Sequence, residues 1–382
     1  MTPEKFHSKL EASFPFIPTI SQINWFPEIA KFIFSKEKNN AFLLTGYAGT
    51  GKTTLIGSLV SQLKLTDYKA VLMAPTGRAA KVMSTYSKFS ARTIHKQIYY
   101  PKPETGGKMQ FQLKVNKFRK TIFIIDEASM IGDDRQNAKL FENGSLLHDV
   151  VQYVSTGDQC KLIFVGDPAQ LPPVHLNISP ALDLEELTQF HFDKVFSIQL
   201  DAVVRQAQGS GILHNATLLR NQLNDQLYDF FKFEVSEYND ILYTNNGMDL
   251  FEAIENAFRD SGTDQTVFIV RSNKRANIYN ENIRKRILGL EDDLSVGDQL
   301  MVVKNNYFWL APESKPGFIA NGDVVQVESI QMRKEIYGFS FAEVTVSLVD
   351  YPEEESFDTV LLLETLTSET PSLSFEDGNR LY

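Results

Sequence analysis

One short segment of the chain has the residue types of a phosphate-binding loop. Residues 46–53 have the sequence GYAGTGKT, directly after the apolar run AFLLT, and match the pattern G-x-x-x-x-G-K-[ST] between a strand and a helix. Glycines let the backbone turn tightly and point several N–H groups at one anion. A helix that begins near Lys52 adds the positive end of its dipole. The pattern predicts a triphosphate site, with Lys52 on the terminal phosphates and Thr53 on Mg²⁺.

The alternative is a glycine-rich turn that arose by chance, and the strand and helix on either side of the loop argue against it. The residues of this loop that we predict to bind nucleotide are Gly46, Ala48, Gly49, Thr50, Gly51, Lys52, Thr53 and Thr54.

A pair of carboxylates supports this prediction. The apolar run TIFII is followed by Asp126 and Glu127. Asp126, at the end of a strand, can hold Mg²⁺ through water, and Glu127 can orient and deprotonate an attacking water. An acidic strand-to-loop turn is the alternative. Together with the loop, these residues predict hydrolysis of a nucleoside triphosphate, but they do not say what the energy drives.

Charge is distributed unevenly along the 382 residues. The net charge of −10 argues against indiscriminate binding to polyanions. From residue 74 to 120, however, eleven Lys or Arg stand against Glu104 alone, and from 350 to 382 nine acids stand against Arg380. The chain thus has a strongly basic segment and an acidic end.

Cysteine usage and hydropathy narrow the class of protein. Cys160 is the single cysteine, which excludes a disulfide framework or a cysteine-based metal site within one chain and fits a reducing cytoplasm. We expect it to be a small buried side chain. No apolar run approaches the ~18 residues of a membrane span, and the start lacks the pattern of a secretory signal. We expect a cytoplasmic monomer without a membrane.

Apolar strands alternate with helical patterns over the first 190 residues or so. The strands AFLLT, KAVLMA, TIFIID and KLIFVGD are separated by helix-like segments such as TTLIGSLVSQLK. This alternation predicts an α/β fold, a parallel sheet with helices on both faces. VFSIQL and TVFIV are further apolar runs predicted to be strands, and MDLFEAIENAFRD is predicted to be a helix between them. From about residue 295, short strands with turns predict a small β-barrel or meander.

Several further segments occur in an order that resembles the motifs of superfamily 1 DNA helicases. They are APTGRAAK (74–81), TIHK (93–96), DEAS (126–129), GDPAQLPPV (166–174) and VVRQ (203–206), with PTISQ (18–22), NISPAL (177–182) and FIANGD (318–323) as additional matches. The resemblance is to the RecD-like branch, which includes the Pif family and the phage helicase Dda. It covers residues from about 15 to 330 and implies RecA-like P-loop NTPase lobes that use ATP and Mg²⁺.

The resemblance also implies roles around the nucleotide. Gln22 would contact the adenine edge, and Asp167 would support the metal or water network. Gln170 would sense the γ-phosphate and signal its presence to the other lobe. Arg205 would act as an arginine finger from the second lobe. The implied catalytic set is therefore Lys52, Asp126, Glu127, Gln170 and Arg205.

The same resemblance implies a track for single-stranded DNA through the basic segment. Hydroxyls, backbone N–H groups and arginine suit backbone contacts that ignore sequence, and tyrosines can stack on bases. The expected contacts are Pro75, Thr76, Gly77, Arg78, Thr93, His95, Tyr99 and, after a second-lobe strand, Ser272 and Asn273; Tyr100 is a second stacking candidate. A solvated basic face is the alternative, both here and for the basic helix of residues 269–286.

An inserted β-hairpin is predicted at residues 97–118, where strand-like QIYY and KMQFQLKV flank the turn PETGG. In the family this insertion carries the pin that splits the duplex. Met109 and Phe111 are candidates for its apolar face, and ordinary packing of the hairpin on its lobe is the equal alternative.

The expected domains are a first RecA-like lobe at 1–193, a second and incomplete lobe at 194–293, and an SH3-like β domain at 294–382. Motifs of the HKAQG and VTRA types are not found before Tyr382. We therefore expect nucleotide binding to survive in this sequence and coupled hydrolysis and unwinding to be poor.

The function implied is an ATP-dependent DNA helicase that moves 5′-to-3′ on single-stranded DNA and opens fork or partial-duplex DNA. The alternative is an ATP-switched subunit that binds single-stranded DNA without unwinding it, as part of an exonuclease complex. RNA as a substrate stays open, as do the pathway and the preferred DNA structure.

Overall fold

The computed structural model describes most of the chain as two compact units, Met1–Gln206 and Ala207–Tyr382. It describes all residues except 104–108, 133–142, 174, 191, 203–208, 226–229, 304–305, 307–308, 311–313, 315, 317–318, 320–321 and 368–382. Among the described residues, none of the helices has the length and apolar character needed to cross a membrane.

A six-stranded parallel sheet organises the first unit. Its order is β3-β2-β6-β7-β1-β8, and a separate hairpin is formed by β4 and β5. The strands are β1 Asn40–Gly46, β2 Lys69–Ala74, β3 Ala91–Thr93, β4 Tyr99–Pro103, β5 Met109–Leu113, β6 Thr121–Ile125, β7 Lys161–Gly166 and β8 Lys194–Leu200. β6 and β7 are buried at every position, as expected for parallel strands covered on both faces. The predicted α/β P-loop fold is confirmed.

Apart from α3, which follows Gly51 without a side-chain cap, the helices of the first unit begin at polar caps that are visible in the sequence. Thr19, Thr76 and Thr93 each accept a hydrogen bond from a backbone N–H of the helix that follows. The helices are α1 Pro3–Ala12, α2 Ile20–Phe34, α3 Lys52–Gln62, α4 Gly77–Ser87, α5 Ile94–Ile98, α6 Leu146–Ser155 and α7 Leu184–Gln189. Their apolar faces cover the sheet, with Trp25, Phe42, Leu55 and Ile163 among the buried core side chains.

The edge strand β8 belongs to the first sheet, although the sequence pattern placed the first lobe's end at residue 193. Phe196 of β8 stands in register with Phe42 of β1, and their rings stack with centroids 6.4 Å apart. Phe32 of α2 packs edge-on against both rings. An apolar strand pattern does not specify which sheet the strand joins, so the division of units falls later, at Gln206.

The predicted hairpin is present as antiparallel β4 and β5. Its base is anchored by Tyr99, which is 2% exposed and whose hydroxyl donates to Asp149 Oδ2 of α6 at 2.6 Å. The backbone register pairs Met109 with Pro103 and Phe111 with Pro101. The side chains of Met109 and Phe111 lie outside the described part, so their role at a fork stays a prediction.

The second unit combines helices with a four-stranded antiparallel sheet of order β12-β11-β10-β9. Its elements are α8 Gly211–Asn224, α9 Gly247–Ser261, α10 Asn273–Arg286, β9 Gln299–Met301, β10 Val324–Ile336, β11 Phe339–Leu348, β12 Phe357–Leu362 and α11 Glu364–Thr367. Alternate residues of β11 are buried in a core with Val325, Val327, Val344 and Val346. The predicted C-terminal β region is confirmed; its likeness to an SH3 domain stays a prediction.

A strand predicted for TVFIV, residues 266–270, is not formed. The segment has no regular secondary structure, and Val267 and Ile269 are 83% and 94% exposed. Phe268 stacks with Phe258 of α9 and Tyr279 of α10. A strand needs a hydrogen-bonded neighbour, and among the described residues between β8 and β9 no strand is present.

An ion pair fastens α10 to the start of this antiparallel sheet. Arg284 donates from Nε and Nη2 to the two carboxylate oxygens of Asp298 at 2.7 and 2.8 Å, and Nη2 also reaches Ser295 Oγ at 2.9 Å. Two parallel bonds between a guanidinium and a carboxylate fix geometry better than one. The end of the basic helix α10 is therefore held to the turn before β9.

A buried lysine joins β7 to the end of α2 in the first unit. Lys161 is 2% exposed, and its Nζ donates to the carbonyls of Phe32 at 2.7 Å and Ser35 at 3.0 Å. The amine also lies over the rings of Phe32 and Tyr68. Burial lowers the pKa of Lys161 to about 8, with Glu37 opposing the shift. The amine thus supplies a donor to two carbonyls at the helix end, one of which, that of Phe32, also accepts from Ser35 N at 3.4 Å.

This lysine gives the fold a measurable pH dependence. Because its pKa is lower in the folded chain than the ordinary 10.5, the unfolded chain binds more protons between those two values, and the stability of the fold rises with pH there. We expect the free energy of unfolding of the wild type, relative to Lys161→Met, to increase by roughly 1 kcal/mol per pH unit between pH 8 and 10. Urea denaturation across this range, with Lys64→Met as the exposed control, measures it. A difference that does not change with pH would contradict the assignment.

Candidate nucleotide-binding site

The loop between β1 and α3 has a shape that depends on its glycines. Gly49 and Gly51 have φ angles of 80° and 88°, in the left-handed region that favours glycine. A Cβ on Gly46 would stand 2.8 Å from Leu200 Cβ and from Thr50 Oγ1. Ala48 is exposed, and Thr53 and Thr54 are half-buried in the first turn of α3. The structure therefore forms the tight turn that the sequence pattern predicts.

Hydrogen bonds hold this loop to α2. Thr50 donates from N and Oγ1 to the Tyr47 carbonyl at 3.3 and 2.8 Å. Gln22, which is 2% exposed, donates from Nε2 to the Thr50 carbonyl at 2.9 Å, and its Oε1 accepts from Thr19 N at 3.0 Å. Both ends of the Gln22 amide are thus engaged with protein atoms. Its predicted contact with adenine stays a prediction.

Lys52 lies where the loop meets three carboxylates. Its Nζ donates to the carbonyls of Gly46 at 2.6 Å and Tyr47 at 3.0 Å. Burial lowers the pKa of Lys52, and the negative charges of Asp167, Asp126 and Glu127 oppose this shift. The structure therefore brings close to one amine three carboxylates that lie more than seventy positions further along the sequence.

Asp126 is at the end of β6, where burial raises its pKa to about 6. Its Oδ1 accepts from Glu127 N at 3.0 Å, and this bond and Lys52 lower the pKa while the Glu127 charge raises it. Glu127 itself has a left-handed φ of 52°. A non-glycine residue in that conformation is held there by its surroundings.

Two serines hold the turn that follows Glu127. Ser129 Oγ donates to Gln170 Oε1 at 3.0 Å. Ser179, which is 2% exposed, directs its Oγ at the carbonyls of Ala128 and Ile131, at 2.8 and 2.6 Å. These bonds fix the backbone on which Glu127 stands.

The loop after β7 completes this group. Asp167 is 4% exposed, and its Oδ1 accepts from Ala169 N at 2.9 Å. Gln170 is exposed but tied to Ser129. A Cβ on Gly166 would lie 2.8 Å from Leu182 and 3.2 Å from Ser129 N. The turns after β6 and β7 therefore pack directly on each other.

The oxygen donors here suit a magnesium ion that is shared with phosphates. The described residues contain no group of three or more His, Cys, Asp or Glu that could hold a metal. Mg²⁺ is commonly bound through one or two carboxylates together with substrate phosphates and waters. The Thr53 hydroxyl and the Asp126 carboxylate supply donors of that kind.

The predicted nucleic-acid contacts at the ends of β2 and β3 lie on one edge of the sheet. Pro75–Arg78 lead from β2 into α4, and Thr93 ends β3, paired with Ala74. Thr76 and Thr93 accept the N–H groups of Ala79 and Lys96, each at 3.2 Å. Gly77 is buried and Arg78 is exposed.

Tyr99 is not placed to stack on bases, which corrects the sequence prediction. It is buried and donates its hydroxyl to Asp149. Tyr100, by contrast, is 61% exposed, with Lys114 Nζ 5.0 Å above its ring. His95 is half-buried, and burial lowers its pKa to about 4. His95 is therefore neutral near pH 7 and can contribute a hydrogen bond but not a charge.

Other predicted residues are elsewhere in the chain. Ser272 caps α10 by accepting from Arg275 N at 3.3 Å, and Asn273 is the first residue of that helix; both are exposed. They belong to the second unit, which is described by itself. Arg205 lies outside the described residues, so its role as an arginine finger stays a prediction.

Comparison with known proteins agrees with this geometry. Residues 30–232, more than half of the chain, match the AAA domain family AAA_30. The chain belongs to this family. Its relatives place this AAA domain with the superfamily 1 helicases of the RecD-like, Pif and Dda branch.

Three relatives illustrate the similarity. The uncharacterized protein R530 of Acanthamoeba polyphaga mimivirus is 26% identical over 349 residues, which cover 82% of this chain and 65% of R530. The ATP-dependent RecD2 DNA helicase of Deinococcus radiodurans is 29% identical over 46% of this chain and 21% of its own length. The ATP-dependent DNA helicase dda of Enterobacteria phage T4 is 26% identical over 81% and 67%. The chain thus spans less than two thirds of R530 and about a fifth of RecD2.

Some residues that shape this AAA domain site were not identified from the sequence. Ser129 and Ser179 lie in the quoted motifs DEAS and NISPAL, but nothing in their spacing predicts which groups their hydroxyls bind. For Gln22 a signal was available. Thr19 and Gln22 are spaced as a capping box, which indicates a helix start with the glutamine turned back on its own backbone.

The two roles of Gln22 are separable by nucleotide competition. Because Gln22 holds the Thr50 carbonyl, Gln22→Ala should weaken binding of every nucleoside triphosphate by about tenfold, the effect of a lost buried hydrogen bond. Fluorescent nucleotide displaced by ATP, GTP or ITP measures this, with Gln62→Ala at the end of α3 as the control. A loss confined to adenine nucleotides would show instead that the base contact dominates.

Proposed function

We propose that this AAA domain binds ATP with Mg²⁺ on the loop of residues 46–53, hydrolyses it, and couples hydrolysis to 5′-to-3′ movement along single-stranded DNA and to duplex unwinding. The observation that supports this best is the loop between β1 and α3, in which left-handed Gly49 and Gly51 lead into a helix that begins at Lys52, with the charges of Asp126, Glu127 and Asp167 near enough to raise the Lys52 pKa against burial. The names of two relatives, the RecD2 and dda DNA helicases, support DNA as the partner.

Each residue has a chemical task in this proposal. The Lys52 amine neutralises charge on the terminal phosphates, and the loop N–H groups hold the remaining oxygens. Thr53 and Asp126 hold Mg²⁺, which supplies further charge neutralisation when bound. Glu127, fixed by the Ser129 and Ser179 bonds, orients the attacking water and accepts its proton.

The neighbouring strands supply the grip on nucleic acid. Thr76, Thr93 and exposed Arg78 share an edge of the sheet with the nucleotide loops. Hydroxyl and guanidinium donors bind phosphate without reading base sequence. This supports a translocase that holds any strand, DNA or RNA.

A second candidate is an ATP-switched DNA-binding protein that does not separate strands. The described residues form one parallel sheet, and TVFIV, the strand expected in a second lobe, has no strand neighbour there. A motor that alternates its grip needs two lobes, whereas a switch needs one nucleotide site and one nucleic-acid site.

Measuring ATPase rate and strand separation on the same protein decides between the two. The helicase proposal requires single-stranded DNA to stimulate ATP hydrolysis and a duplex with a 5′ overhang to be opened, and poor activity in both assays would instead follow from the absence of the HKAQG-type and VTRA-type motifs before Tyr382. Lys52→Ala should lower the ATPase by at least two orders of magnitude, and Lys64→Ala, an exposed lysine of the same unit, should be silent. Stimulation without strand separation would favour the switch, and hydrolysis retained in Lys52→Ala would disprove the site. An RNA strand in place of DNA tests the choice of polymer.

The raised pKa of Asp126 predicts how the magnesium requirement depends on pH. Below about pH 6 the carboxyl is increasingly protonated, and a proton competes with the metal. The Mg²⁺ concentration for half-maximal nucleotide binding should therefore rise by roughly tenfold between pH 7 and pH 5. ATP also takes up a proton in this range, so Asp126→Asn is the control. An equal pH dependence in that variant would exclude Asp126 as the titrating group.

A further inference from the structure

The solvent face of α4 presents aromatic and basic side chains together. Val82 and Tyr86, four residues apart on one face of α4, are 48% and 63% exposed, and Phe89, which follows the end of the helix, is 39% exposed. We name this surface the α4 stripe, and it consists of Arg78, Lys81, Val82, Tyr86, Lys88 and Phe89. The nucleotide site described above uses none of its aromatic residues.

Core packing does not explain why these rings are exposed. The opposite face of α4 is already buried through Gly77, Ala80, Met83 and Ser87. Phe89 follows the left-handed Lys88 that ends the helix, and its N–H donates to Ser87 Oγ at 3.2 Å. The end of the stripe is therefore held in place while its rings face solvent.

Charge identifies the kind of partner. The cations Arg78, Lys81 and Lys88 are all exposed, and residues 74–103 contain no Asp or Glu. A surface of cations interleaved with aromatic rings fits a polyanion that also offers flat bases, which is a single-stranded nucleic acid. An acidic peptide would satisfy the cations but would not need two exposed rings in a row.

Continuity favours the nucleic acid further. The stripe begins at Arg78, two residues after Thr76. We propose Thr76 as a contact for the nucleic acid at the edge of the sheet. α4 has 11 residues and so extends about 16 Å away from that edge. A single-stranded nucleic acid bound at Thr76 can therefore continue along α4.

We propose that the α4 stripe is an additional subsite for single-stranded nucleic acid, with bases stacked on Tyr86 and Phe89 and phosphates near Lys81 and Lys88. The proposal rests on the proposed function and deepens it. The stripe would bind further nucleotides beyond those held at the edge of the sheet. Nucleic acids long enough to reach it should therefore bind more tightly.

The test compares oligo-dT of increasing length, about 4 to 16 nucleotides as for other single-strand sites, by fluorescence anisotropy. The full chain should bind the longer strands more tightly than the short ones. The double variant Tyr86→Ala, Phe89→Ala should lose roughly tenfold affinity for the longest strand and keep its affinity for the shortest. Tyr86→Phe keeps the ring and should bind like the wild type.

Salt dependence separates the rings from the cations. Lys81→Gln and Lys88→Gln should each reduce the slope of log affinity against log salt by about 0.7. The aromatic variant should leave that slope unchanged, as should Lys5→Gln on α1, which is the exposed control.

The proposal is overturned if the aromatic variant binds long strands like the wild type, or if it loses equal affinity for every length. Binding of an acidic aromatic peptide to the stripe, without a strand-length effect, would likewise overturn it and indicate a protein partner. Failure of the stripe would leave binding of short strands and stimulated ATP hydrolysis intact. Failure of the proposed function would remove binding of every strand, so the two results are distinguishable.

Discussion

The candidate site depends on the balance of charge between one half-buried amine, that of Lys52, and the carboxylates near it. Burial lowers the pKa of Lys52 and raises that of Asp126, so each group alone would tend to lose its charge. Placed together, each favours the charged form of the other. The parallel order β6-β7-β1 creates this neighbourhood, because the carboxyl ends of adjacent strands, far apart in sequence, meet at one edge.

Strain at Glu127 shows how the surrounding fold supports this centre. A left-handed glutamate costs about 1–3 kcal/mol and persists only where its neighbours hold it. Here they are Ser129, bonded to Gln170, and Ser179, bonded to two carbonyls of the same turn. Close packing at Gly166 leaves the turn little room to relax. The carboxylate proposed as the base therefore stands on a backbone that is fixed before any substrate arrives.

The features predicted correctly from the sequence are those determined by short segments of the chain. The loop of glycines, the buried strands and the hairpin follow from spacing and hydropathy, and the structure contains them. It was harder to predict which groups within the fold each side chain or strand contacts. Tyr99 has the same side chain as Tyr100, yet one is buried on Asp149 and the other exposed. TVFIV has the composition of a strand but no strand neighbour among the described residues. Both ends of the Gln22 side-chain amide form hydrogen bonds with backbone atoms of this chain. These outcomes depend on tertiary contacts that no short segment contains.

The sheet also offers a short physical route between nucleotide and nucleic acid. Asp126 N donates to the Met73 carbonyl at 3.0 Å, and Met73 lies two residues before Pro75, where the proposed strand contacts begin. β2 in turn pairs with β3 up to Ala74 and Thr93. The backbone at Asp126 is therefore joined directly to the strand that leads into α4. Coupling between the proposed sites would need no long relay, since one hydrogen bond joins β6, which carries the proposed metal ligand Asp126, to β2, which leads to the proposed nucleic-acid contacts.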